Sequence, residues 1–264
     1  MPARNQSPWW SSPWAIAGGL LLGSGIAAML HRRRQPTADC TQVGADEGTV
    51  AGIHYLERVR GDASPDDALP MVVVFHSRGG VPAGVAKTLQ DVGRARLIIP
   101  RGSFQLGSGW AWFDKPIRGA IEQGDPSVAL QWNEVAMQVA EFLRQIVQCR
   151  PTVGQPILTG SSQGGEMALL LGSTHPDLAH SAIAVNGLLL PAFWDPGIVP
   201  TAMINGTGDE VVPFDWAAEY AQAMIDAGAP LSFTPFPSTG HGVTEPMASA
   251  WHDLVRVSAQ GLLQ

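Results

Sequence analysis

Pro156-Ile157-Leu158-Thr159-Gly160-Ser161-Ser162-Gln163-Gly164-Gly165-Glu166-Met167-Ala168-Leu169-Leu170-Leu171 is the stretch on which the reading of the fold turns. Its first four residues read as a buried strand, and its last six are good helix formers. Between them lies a G-x-S-x-G pattern that sets Ser162 at a strand-to-helix turn. Such a turn holds a nucleophile in a strained backbone conformation, and small residues on both sides let strand and helix approach closely while the hydroxyl stays exposed. The helix N-terminus behind Ser162 directs unpaired N–H groups and a partial positive charge at any oxyanion formed beside it. A Ser/Gly-rich loop matching by chance is the alternative, and only context separates the two.

A serine hydroxyl is a poor nucleophile until a histidine takes its proton, and the imidazole needs a carboxylate to fix its tautomer. Downstream of Ser162 the chain supplies both, in the order acid then histidine. Met203 to Asn205 reads as a short apolar strand running into a Gly-rich loop that carries Asp209, and Leu231 to Phe236 as a second strand followed by a loop with His241 between Gly240 and Gly242. Glu210 and Asp215 are rival acids, but Asp209 comes first past its strand. Among the seven histidines, His76 follows the apolar run Val72 to Phe75 and reads as a structural loop residue, while His31, His54, His175, His180 and His252 read as surface or packing positions.

These motifs resemble the α/β-hydrolases, and specifically their carboxylesterase, phospholipase and acyl-protein thioesterase branch. That branch commonly reads G-x-S-Q-G-G at the nucleophile, G-x-x-D-x-x-V-P at the acid and G-H at the base, matched here by Gly160 to Gly165, Gly206 to Pro213, and Gly240-His241. The likeness covers about residues 48 to 260. It implies a catalytic Ser162, Asp209 and His241, with the backbone N–H groups of Gln163 and Arg78 as the oxyanion hole. Ser77 stands where the family usually has glycine. Gly109 through Asp114 resembles the family's strand-end loop with an aromatic pair near the substrate, which makes Trp110, Trp112 and Phe113 expected substrate-binding residues. Leu188, in the apolar connection after Asn186, joins them as a candidate acyl-binding wall.

The rest of the chain bounds this reading. At 264 residues with 45% hydrophobic and 15% charged side chains, the composition is that of a globular protein, and α/β architectures of this size are often one domain. The net charge of −7 speaks against a nucleic-acid partner. No glycine-rich nucleotide fingerprint and no metal-ligand spacing is seen, so neither cofactor nor metal is expected. Cys40 and Cys149 are too few for a disulfide scaffold; they pair if the domain is exported, or remain two thiols.

Residues 1–46 read as a separate N-terminal part ahead of a catalytic domain over 47–264. Trp14 to Leu30 is an uncharged apolar run followed by Arg32-Arg33-Arg34. As a helix it would span about 26 Å, just short of the ~30 Å hydrocarbon core. A single membrane anchor with the domain on the cytoplasmic side follows from the positive-inside rule, and export after signal cleavage is the alternative. Gln35 to Asp46 reads as a linker.

Segments that read as strands, Ile53–Val59, Met71–Phe75, Leu97–Pro100, Pro156–Thr159, Ala182–Asn186, Ala202–Asn205 and Leu231–Phe236, alternate with helical segments later in the chain. This pattern predicts an α/β fold with a mostly parallel, doubly wound sheet. The short stretch from Gly187 to Thr201 leaves no room for a large lid. The expected function is a serine hydrolase acting on carboxylic esters or thioesters through an acyl-enzyme, with a small acyl substrate as partner. Alternatives are a serine peptidase or polyester depolymerase on the same fold, or a membrane-tethered non-catalytic binding module. Oligomeric state is left open.

Overall fold

The computed structural model describes residues 38, 40–44, 46–124 and 126–264. The expected anchor over residues 14–30 lies outside them. Among the described residues, no helix is long and apolar enough to cross a membrane.

Ten strands form: β1 Glu47–Val50, β2 Ile53–Arg60, β3 Met71–Phe75, β4 Ala95–Pro100, β5 Phe104–Leu106, β6 Gly109–Ala111, β7 Ile157–Ser161, β8 Ser181–Val185, β9 Thr201–Gly206 and β10 Leu231–Phe236. The helices are α1 Pro82–Val85, α2 Ile117–Gln123, α3 Pro126–Cys149, α4 Gln163–Thr174, α5 Phe214–Asp226 and α6 Glu245–Gly261. Eight strands make one sheet in the order β1-β2-β4-β3-β7-β8-β9-β10, and β5 with β6 forms a separate hairpin. From β4 to β10 every pairing is parallel, while β1 and β2 are antiparallel additions at one edge. The expected doubly wound α/β architecture is therefore present. The connection after β8 holds one 3₁₀ turn, Pro191–Phe193, and no lid domain.

Side chains alternate across the sheet, so each central strand feeds two cores. Met71, Val73 and Phe75 join one core with the apolar stripe of α3, while Val72 and Val74 join the other with Met247, Trp251 and Val255 of α6. The α3 stripe read from the sequence, Val128, Trp132, Val135, Val139, Phe142 and Ile146, is buried throughout. Burial on both faces explains why β3, β7 and β8 are continuous apolar runs rather than alternating ones.

The described residues of the segment read as a linker, Ala38, Cys40 to Gly44 and Asp46, lie against the domain. Cys40 is disulfide-bonded to Cys149 at the end of α3 across a separation of 109 residues, the Ala38 N–H donates to Gln148 Oε1 at 3.2 Å, and Val43 bridges to Gly48. Of the alternatives left open for the two cysteines, the paired one is found.

Near this junction lies a buried ion network. Glu57 on β2 is 2% exposed and bonds both Arg96, which is fully buried on β4, and Arg150, whose Nε donates to Glu57 Oε2 at 2.7 Å. Arg96 also donates to the Pro65 and Asp67 carbonyls at 2.7 and 3.2 Å. Removing one partner of such a network strands a charge in a dry interior, a loss of roughly 3–5 kcal/mol. Glu57→Ala is therefore expected to lower unfolding free energy by about that amount in urea titration, and Glu57→Gln by less, because the amide oxygen still accepts from one of the two arginines.

Candidate active site

Four loops converge beyond the carboxyl ends of β3, β7, β9 and β10, where ligands of open α/β sheets bind. Ser162 caps α4 with φ 56° and ψ −128°, the strained conformation expected of an elbow. Close packing holds it there. Any side chain at Gly164 would collide with the Phe75 carbonyl, so only glycine lets the first turn of α4 lie against the end of β3. The Ser162 N–H donates to the Val185 carbonyl at 2.9 Å, tying the turn to β8.

The three distant residues meet. His241 Nε2 lies 2.9 Å from Ser162 Oγ, and its Nδ1 lies 2.8 Å from Asp209 Oδ2. Asp209 is 4% exposed, and its other oxygen accepts from the Val211 and Val212 N–H groups at 2.9 and 3.0 Å. A carboxylate held by two amides and facing Nδ1 fixes the tautomer in which Nε2 can accept the serine proton. The rival acids Glu210 and Asp215 are exposed.

Gln163 opens α4, so its N–H belongs to the unpaired first turn. Its side chain is a stitch that the sequence did not announce: Oε1 accepts from the Trp112 N–H at 3.1 Å and Nε2 donates to the Phe113 carbonyl at 3.0 Å. In the loop after β3, the Gly79 N–H donates to the Trp110 carbonyl and the Gly80 N–H to the Ser77 carbonyl. The β5–β6 hairpin braces this loop closely enough that any side chain at Gly109 would strike the Gly79 carbonyl. The Arg78 N–H makes no backbone bond among the described residues, and Arg78 lines the same cleft as Gln163.

Ser77 has a reason to differ from glycine. Its hydroxyl donates to the Ser161 carbonyl at 3.0 Å and lies 2.9 Å from Ser161 Oγ, so it ties the β3 loop to the elbow. His76 is fully buried; its Nε2 accepts from the Gly102 N–H at 2.9 Å, which leaves Nδ1 to donate to the Ser77 carbonyl at 2.8 Å. Burial depresses its pKa against the opposing effect of that hydrogen bond, and the ring acts as a neutral strut.

The expected apolar wall requires correction. Trp112, Phe113 and Leu188 are fully buried in the core and do not line the cleft beside Ser162. Trp112 packs edge-on to Phe75 and donates to the His76 carbonyl at 2.9 Å, and Phe113 stacks on Trp132 at 3.9 Å. Trp110 is occupied by Arg101, whose guanidinium sits 4.0 Å from its ring. These aromatics support the loop after β3 from behind. The cleft, about 470 Å³, is walled by Ile117, Val212, Val243, Arg78 and Glu166.

Two residues went unread in the sequence. Asn186, just past β8 with φ 48°, donates to the His241 carbonyl at 2.9 Å and accepts from the Gly206 N–H at 2.9 Å, holding the base and acid loops together. A polar residue closing the run Ser181 to Val185 was its signal. Glu166 looked like a helix former, yet it is 1% exposed in an otherwise apolar helix. Burial raises its pKa from 4.5 to about 8, with the Arg78 charge pulling the other way.

The chain was compared with known proteins. The family model described as phospholipase/carboxylesterase matches residues 62–258. A curated relative named "Putative esterase NocK", from Nocardia uniformis subsp. tsuyamanensis, is 28% identical over 193 residues, covering 69% of this chain and 53% of its own length. The chain thus spans about half the length of that relative. Among solved structures, esterase PE8 is similar at TM-score 0.60 and 20% identity, covering 76% of this chain and 99% of that one. A Mesorhizobium loti carboxylesterase gives 0.64 and 16%, with 77% and 94% coverage. Acyl-protein thioesterase 2 from Zea mays gives 0.59 and 16%, with 78% and 98%. At these identities the structures establish shared fold.

Glu166 generates a pH prediction. Below pH 4.5 it is protonated folded or unfolded, and between 4.5 and about 8 only the unfolded chain ionises it, so this group makes stability fall as pH rises through that window. Glu166→Gln removes the group, and the fall in unfolding free energy across that window, followed by urea titration at several pH values, is expected to be shallower than in the unsubstituted protein.

Proposed function

The chain belongs to the phospholipase/carboxylesterase family, and from that membership we propose that it is a serine hydrolase of carboxylic esters or thioesters working through an acyl-enzyme. The observation that carries the reading is the continuous chain of contacts Asp209–His241–Ser162, 2.8 and 2.9 Å long, at the edge of a cleft. Ser162 Oγ attacks the acyl carbon as His241 Nε2 takes its proton, and Asp209 stabilises the resulting imidazolium. The Gln163 and Arg78 N–H groups receive the oxyanion, an interaction for which each donor contributes about 10²–10³ in rate. His241 then returns the proton to the departing alkoxide or thiolate. Water, deprotonated by the same imidazole, attacks the acyl carbon and releases the acid.

A compact cleft and the short connection after β8 favour short to medium acyl groups. A fluorophosphonate probe is expected to label Ser162 in the folded protein, Ser162→Ala to abolish both labelling and turnover, and rates on p-nitrophenyl and thioester substrates to peak at short to medium chain length. Absence of labelling sinks the hydrolase reading; activity confined to long-chain emulsified lipids sinks the chain-length reading.

The domain is further proposed to work in an oxidising compartment. Disulfides persist outside the reducing cytosol, and the Cys40–Cys149 bond favours export over the cytoplasmic placement that Arg32 to Arg34 suggest. Protein isolated from its source under acid-quenched, non-reducing conditions is expected to resist thiol alkylation until reduced. Immediate alkylation of both cysteines contradicts this.

A further inference from the structure

Glu166 is the fourth residue after Ser162, in the first turn of α4, and both residues line the same cleft. It lines the cleft although almost no surface is exposed, and its Oε2 has no hydrogen-bond partner. The nearby charge is Arg78, another lining residue, whose Nη2 donates to the Asp114 carbonyl at 2.8 Å while its Nε is buried and unpartnered. Native interiors rarely leave such groups unmet, and these two belong to side chains that line the same cleft. The proton relay uses neither side chain.

We propose that Glu166, together with the Arg78 Nε–H, is the specificity determinant of this site and recognises an oxygen on the acyl group, so that esters of hydroxy- or oxo-substituted short acids are preferred over plain alkanoates. The inference rests on the serine hydrolase reading and names its substrate class. The leaving group must reach His241 Nε2 for its proton and takes that side of the cleft, with Gly242 and Val243. The acyl chain is left the part walled by α4 and the loop after β3, where Glu166 and Arg78 stand. Burial keeps the Glu166 carboxyl protonated at neutral pH, so it both donates and accepts, which suits a hydroxyl; a carbonyl oxygen accepts from the carboxyl and from Arg78. A plain alkyl chain leaves both groups unpaired, the circumstance in which a site built for hydrogen bonding rejects the analogue lacking the oxygen.

The test compares kcat/KM for p-nitrophenyl butyrate and p-nitrophenyl 3-hydroxybutyrate in the full chain, Glu166→Gln and Glu166→Leu. The unsubstituted protein is expected to favour the hydroxy ester by about tenfold or more, mainly through KM. Glu166→Gln, whose amide still donates and accepts, keeps most of that preference. Glu166→Leu reverses it, slowing the hydroxy ester and quickening the plain one. Equal use of both esters by the unsubstituted protein, or a leucine variant that slows both alike, overturns the proposal while leaving Ser162 labelling and hydrolysis intact. Loss of the serine hydrolase reading shows itself differently, as no hydrolysis of either ester and no labelling. Should the leucine variant fail to fold, equal use of both esters by the unsubstituted protein still overturns the proposal.

Discussion

The structure depends on one crowded contact, the first turn of α4 pressed against the carbonyl end of β3. Gly164 must lack a side chain for the contact to exist, and Ser162 must take a left-handed conformation for the chain to turn there. That conformation costs of order 1–3 kcal/mol and survives only where the surroundings over-determine it. They do so from several directions. The Ser162 N–H bonds β8, the Gln163 side chain bonds the loop after the hairpin, and Ser77 bonds the Ser161 carbonyl. Strain at Ser162 is therefore balanced by a shell of hydrogen bonds contributed by segments far apart in sequence.

The same shell positions the partners of the serine. Asn186 links the histidine loop to the end of β9, and His76 sets the course of the loop carrying Arg78. Each is a buried polar residue with both of its hydrogen-bonding ends engaged. Such groups are expensive to bury unless satisfied, and satisfied they specify one arrangement among many. The aromatic residues from Trp110 to Phe113 serve the same end by packing and cation–π contact.

Much of this was legible in the sequence. Parallel strands buried on both faces must be apolar runs, which is why β3, β7, β8 and β9 were found within a residue or two, and the stripe of α3 announced itself by its period. The elbow, acid and histidine could be placed because each sits in a short glycine-bearing motif at a strand end. Tertiary pairing left weaker traces. The edge strand β1 is only four residues long, and docking of Cys40 joins positions 109 residues apart. Trp112, Phe113 and Leu188 were misread because an aromatic or leucine beside an active site has the same local signature whether it faces the cleft or the core. Glu166 was passed over since an acid suits the first turn of any helix, and only burial sets it apart.

The disulfide also fixes an orientation. Cys149 ends α3 next to Thr152, which pairs with Leu69 just ahead of β3, so the bond lies at the amino ends of the strands, on the opposite rim of the sheet from Ser162. Ala38 and Cys40 are consequently fastened to the back of the domain. The covalent tie and the cleft thus occupy opposite rims of one sheet, so strain at either end reaches the other only through the full length of the strands.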